Sequence, residues 1–126
     1  GEADTSELDK AAIALHNFLD ARAEGNWAAT CTYMSKGVIE SFEKLAAQSK
    51  QPGGASCAAI LEKLTNPAAR QSMKAEAEKA NVRSLRTEGE QAFVIYTGIG
   101  DTILAMPIAN EDGDWKVASL AGTPLN

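Results

Sequence analysis

The sequence predicts an α+β domain in which N-terminal helices pack on the concave face of a curved antiparallel sheet of about four strands. Three observations carry that expectation. Apolar residues recur at helical spacing through the first half of the chain; the spacing changes to an alternation of two from about Asn81; and Glu88-Gly89, Ile99-Gly100 and Asp112-Gly113 punctuate the alternation as hairpin turns. The 126 residues fit one average domain. A chain of this length buries roughly two-thirds of its unfolded surface, so it needs neither several disulfides nor a metal to hold a core.

The first helix follows from Leu8, Ala12, Leu15 and Leu19, with Ser6 as its N-cap and Asp9 as the capping-box partner. Gly25 breaks it. Asn26 then caps a short helix carrying Trp27, Cys31 and Met34, and Val38, Phe42 and Leu45 mark a third that stops at Gln51-Pro52-Gly53-Gly54. A fourth starts from Ser56, places Cys57, Ile60, Leu61 and Leu64 on one side, and ends at Asn66-Pro67. Residues 68–78 are open between a further helix and a loop.

In the second half, a two-residue turn at Asp112-Gly113 pairs Ile108 with Val117 and Asn110 with Trp115. A turn centred on Ile99-Gly100 pairs Phe93 with Met106 and Ile95 with Leu104. Together these registers place Phe93, Ile95, Leu104, Met106, Ile108, Trp115 and Val117 on one apolar face. The opposite face then carries Val94, Tyr96, Ala105, Pro107, Lys116, Ala118 and Leu120, of which Val94, Tyr96, Ala118 and Leu120 are candidates for a homodimer interface.

Composition excludes several classes of function. Seventeen acidic and twelve basic residues give a net charge of -5, which opposes binding to nucleic acid. Residues 31–86 carry five acids and nine bases, while both flanks are acidic. No apolar run is long enough to span a bilayer, so membrane association would come only through an upstream anchor. The chain begins at Gly1 without methionine, which reads as a cleavage scar after a removed segment, with residues 1–5 a disordered tail and residues 6–126 the domain. Cys31 and Cys57 lie 26 positions apart. Either they pair, which implies an oxidising compartment, or they are two reduced, buried thiols in a cytosolic protein.

The Glu24-Gly25-Asn26-Trp27 junction after a long first helix, the short helices that follow, and the strand introduced by Asp112-Gly113-Asp114-Trp115-Lys116-Val117 resemble the nuclear transport factor 2-like superfamily. This cone-shaped α+β fold is shared with ketosteroid isomerases, scytalone dehydratases and polyketide-cyclase-like proteins. Within it the chain looks most like small exported proteins or lipoproteins of actinobacteria, in which a cysteine after the Trp junction is matched by one in a later helix. Cys31 and Cys57 occupy those places. The resemblance implies a disulfide, a secreted or cell-surface location, a cavity between helices and sheet, and dimers formed through the outer sheet face. Cytoplasmic location is the runner-up.

Reactive groups are few. His16 borders the apolar stripe of the first helix, and Asp20 follows one turn later, so the two form the one His-Asp pair that could act as a general base. Tyr33 is the remaining candidate for acid–base work in a pocket. Serine nucleophile and phosphate-loop patterns are missing, and one histidine with two separated cysteines does not make a metal site. The expectation is therefore a non-enzymatic domain with no cofactor or metal. It binds a small apolar ligand through Phe93, Leu104, Met106, Ile108 and Trp115, or binds a protein partner. The alternative is a small isomerase, dehydratase or cyclase-like enzyme using a pocket histidine or tyrosine with a carboxylate.

Overall fold

The computed structural model describes residues 5–48, 56–89 and 91–126. Five helices precede an antiparallel sheet, giving the α+β arrangement. Helix α1 (Thr5–Glu24) places Ala11, Leu15, Phe18, Leu19 and Arg22 on one buried face. Ser6 lies inside the helix rather than at its cap, and Thr5 is helical rather than part of a tail; residues 1–4, with the expected scar, lie outside the described residues. The helix closes where Gly25 N donates to Arg22 O at 3.1 Å and Asn26 N donates to Ala21 O at 3.0 Å. These two bonds satisfy carbonyls that the last turn would leave without partners.

Asn26 then caps α2 (Trp27–Thr32), its side chain accepting from Ala29 N. Helix α3 (Lys36–Gln48) buries Phe42 and Ala46, and its expected stop at Gln51-Pro52-Gly53-Gly54 lies outside the described residues. Ser56 caps α4 (Cys57–Leu64) by accepting from Ala59 N. Asn66 has a second role beyond ending α4. It caps α5 (Pro67–Lys79), accepting from Ala69 N at 2.8 Å, and Pro67 supplies a first helical residue that needs no amide donor. The open stretch 68–78 is thus helical.

Strands β1 (Asn81–Glu88), β2 (Gln91–Thr97), β3 (Ile103–Glu111) and β4 (Asp114–Val117) follow one another across the sheet, and the short β5 (Thr123–Pro124) also pairs with β3. The β3–β4 hairpin has the expected register, Ile108 with Val117 and Asn110 with Trp115. Asp112 and Gly113 both take positive φ, 55° and 94°, as a two-residue turn of this hand requires.

The β2–β3 register differs from the expected one by a single residue. Phe93 pairs with Pro107, Val94 with Met106 and Ile95 with Ala105. The cause is the connection: Ile99–Asp101 forms a 3₁₀ turn, Gly98 N donates to Thr102 O, and Thr97 pairs with Ile103, so five residues rather than two make the bend. A slip of one exchanges the faces of β2. Ala92, Val94 and Tyr96 are therefore buried, whereas Phe93 and Ile95 lie on the outer face.

Helix α1 lies against β1, β2 and β4, so the helical layer covers one face of the sheet. Leu15, Phe18, Leu19, Met34, Leu85, Val94, Tyr96, Met106 and Val117 are at most 2% exposed and fill the space between them. Each large apolar side chain closed away there contributes about 1.5–3 kcal/mol relative to exposure.

Candidate functional site

Two features stand out between the layers and at their edge. The first is a buried polar chain. Arg22 extends the apolar stripe of α1, spaced four residues from Phe18 and seven from Leu15, and its guanidinium lies 5.1 Å from the Phe18 ring centroid. Its Nη2 donates to Glu76 Oε2 at 2.9 Å, its Nη1 donates to Leu120 O at 2.6 Å, and Glu76 Oε1 accepts from the Tyr96 hydroxyl at 2.8 Å. Burial first, and then the neighbouring Glu76 carboxylate, push the Tyr96 phenol far above its ordinary range. These bonds tie α1, α5, β2 and the C-terminal segment together, and they leave the buried Arg22 Nε as the one atom of the three side chains without a partner among the described residues.

Tyr96 is thus an interior hydrogen-bond donor rather than the outer-face aromatic expected from the shifted register. Val94 is likewise buried, and Leu120 packs on the core, so none of these three lies free on an outer interface. The sequence signal for Arg22 is its spacing, which continues the buried positions of α1. The signal for Glu76 is weaker, its spacing of three from Met73 on α5 and of four from the capping Ala80.

The second feature is a groove of about 400 Å³ between α1 and the β3–β4 hairpin. Lys10, Ile13, Ala14 and Asn17, the last three lying three, four and seven residues beyond Lys10 on one helix face, form one wall; Gly113, Asp114, Trp115 and Lys116 form the other, and Tyr33 also lines the groove. The backbone fixes both aromatic side chains. Val117 N donates to Tyr33 O at 2.8 Å and Ser35 N donates to Val117 O at 2.8 Å, so the α2–α3 junction runs beside β4. Trp115 Nε1 donates to Glu7 Oε2 at 3.0 Å, and Lys116 Nζ donates to Thr32 O at 2.7 Å. Ile13 remains 62% exposed on the groove wall.

A further cleft of about 430 Å³ lies between the end of α1, α4 and α5. Trp27 lines it with Glu24, Glu62, Arg70 and Lys74, and Arg70 Nη2 donates to Ala23 O at 3.1 Å. Its charges balance in sign, and it presents one aromatic ring.

The structure separates most of the residues read from the sequence. Met106 and Ile108 are closed inside the core, at 0% and 4% exposure, and Leu104 is packed partly against it. Phe93 is on the opposite face of the sheet, a consequence of the register. Trp115 reaches the groove, where it meets Tyr33 rather than the other four. His16 is half-buried and Asp20 exposed, and no hydrogen bond or ion pair joins them among the described residues. Cys31 and Cys57 are bonded, linking α2 to α4 with Cα atoms 6.2 Å apart. That bond fits an oxidising compartment. Among the described residues no helix is long and apolar enough to cross a membrane, and no three His, Cys, Asp or Glu side chains gather as metal ligands would. In comparisons with known proteins the chain matches no family model, no curated protein and no solved structure.

Proposed function

We propose that the chain is a non-catalytic, extracytoplasmic binding domain of the nuclear transport factor 2-like kind, secreted or lipid-anchored, that takes a small apolar ligand. One observation carries the reading. Ile13, Tyr33 and Trp115 present apolar surface in a groove at the edge of the helical layer, outside an interior filled by side chains. A groove of this size with mostly apolar walls and a few polar groups has the make-up of a small-molecule site. The isomerase-like alternative needs His16 or a tyrosine opposite a carboxylate in a hollow. Asp20 is exposed, and the Glu76 carboxylate beside Tyr96 already pairs with Arg22.

Native mass spectrometry of gently extracted protein, followed by release under denaturing conditions, tests the proposal. A molecule retained by the native protein and lost on Ile13→Asp substitution is expected. Absence of a retained molecule, together with no change in melting temperature across a panel of small apolar compounds, would count against it.

A second reading has its own support. The outer sheet face carries Phe93, Ile95, Ile103, Ala105 and Pro107, none of them fully buried and Ile103 38% exposed. Contiguous apolar surface of this kind marks association sites. We place a homodimer contact there, on these residues rather than on Val94 and Tyr96. Sedimentation of the wild type and of Phe93→Glu decides it: a dimer that becomes monomeric supports the contact, and a monomeric wild type removes it.

A further inference from the structure

We propose that the cleft between the end of α1, α4 and α5 binds a small zwitterion of the ω-amino acid class, with its carboxylate toward Arg70 and Lys74 and its ammonium toward Glu24 and Glu62. This site is separate from the groove beside the β3–β4 hairpin and does not depend on the role given to that groove.

The charges lining the cleft are equal in number but divided by helix. Glu24 is the last residue of α1 and Glu62 stands in the last turn of α4, so each carboxylate adds to the partial negative charge of a helix C-terminus. Arg70 and Lys74 lie one turn apart on α5, and Arg70 is near the positive end of that helix, which begins at Pro67. Each helix therefore opposes the charge it carries into the cleft. Among the described residues none of the four is in an ion pair, whereas in the groove Glu7 already meets Lys10. Arg70 is also held in place. Its guanidinium lies against Gly25, where a Cβ would come within 3.0 Å of Cζ, and its Nη2 donates to Ala23 O at 3.1 Å. The buried Nε has no partner, so among the described residues this fork of five N–H groups uses one. A carboxylate is the kind of group that such a fork accepts. A ligand of one sign is drawn to one pair of side chains and repelled by the other; a ligand of both signs is matched by each. Trp27 supplies apolar surface for the chain between the two charges and a ring that attracts an ammonium.

The test is a ¹⁵N–¹H titration of the full chain near neutral pH with 4-aminobutyrate, 6-aminohexanoate and 8-aminooctanoate, and with hexanoate and hexylamine as single-charge controls. The Trp27 indole N–H is the reporter and the Trp115 indole the internal control. One member of the series is expected to shift Trp27 saturably, leave Trp115 unmoved, and bind about fivefold tighter than either control, the range of one exposed charge contact. Lys74→Gln should bring that amino acid down toward the affinity of hexylamine, and Glu62→Gln toward that of hexanoate. Both side chains are exposed, so thermal melts should show the fold unchanged in each variant. If a single-charge control binds as tightly as the best amino acid, or if either substitution leaves the preference unchanged, the zwitterion assignment is wrong. If no compound moves Trp27, or if Trp115 moves with it, the cleft is not the site.

Discussion

Adding one methyl group at Gly122 tests whether the C-terminal segment is seated on the buried polar chain. A Cβ at Gly122 would overlap the Tyr96 hydroxyl and would lie 3.1 Å from Tyr96 Cζ and 3.2 Å from Leu104 Cβ. The ring cannot swing aside cheaply, because Tyr96 is fully buried and its hydroxyl is held by Glu76. Overpacking of this order costs about 1–3 kcal/mol. Tyr96→Phe removes the overlapping oxygen but leaves Glu76 Oε1 without its donor, for about 1–3 kcal/mol. In the double variant the oxygen is gone, and only contacts above 3 Å remain, which small shifts relieve. The two costs should therefore be sub-additive by about 1–2 kcal/mol. Urea unfolding of the four proteins, with the disulfide intact, measures this as midpoint shifts at constant slope. Gly37→Ala is the control of opposite sign. Gly37 lies in α3 with open space around a Cβ, so alanine there should stabilise by about 0.5 kcal/mol. Strict additivity of Gly122→Ala and Tyr96→Phe, or a neutral Gly122→Ala, would show that the segment does not rest on Tyr96.

The same phenol gives a pH dependence. Its pKa in the folded chain is raised, so both states keep the proton below the unfolded value near 10; above that pH the unfolded chain alone loses it, and stability falls by about 1.4 kcal/mol per pH unit. Urea midpoints at pH 9, 10 and 11 should show the advantage of the wild type over Tyr96→Phe shrinking above pH 10, and a constant gap would contradict the burial. Replacing Arg22 alone by Met leaves the Glu76 carboxylate unpaired in a site where its side chain is 19% exposed, for about 3 kcal/mol, whereas Arg22→Met with Glu76→Met should recover much of that loss; thermal unfolding of both variants separates a paired charge from simple packing. Converting Cys31 and Cys57 to serine opens a loop of 26 residues and should remove about 3.5 kcal/mol. Intact mass before and after reduction checks the bond first, and two free thiols in untreated protein would contradict it.

Helix boundaries were legible in the sequence wherever a cap did local work. Asn26 and Ser56 each accept from the amide three residues on, and their side chains need no tertiary context to do so. Asn66 does the same, yet α5 was not evident, because it buries no residue fully and so shows a weak apolar stripe. The cysteine pair was visible as a choice between bonded and reduced, and proximity of α2 and α4 decides it. The groove was hidden for a different reason. Its α1 wall, Lys10, Ile13, Ala14 and Asn17, reads as a water-facing surface until the hairpin is placed opposite.

The β2–β3 register shows why apolar alternation alone could not choose the inward face. Strand β2 is apolar on both sides, Ala92, Val94 and Tyr96 on one and Phe93 and Ile95 on the other, so hydrophobic burial favours neither strongly. What breaks the tie is the five-residue connection at 98–102, and polar satisfaction makes its result tolerable. Turning Tyr96 inward would leave a hydroxyl in the core without a partner, were it not for Glu76 on α5, which in turn is tolerable there because Arg22 on α1 neutralises it. Neither residue lies near β2 in sequence, so an inward Tyr96 becomes tolerable only once the helices are in place. With Tyr96 inside, the interior closes around the Arg22–Glu76–Tyr96 chain, and Phe93 and Ile95 are left on the outer sheet face.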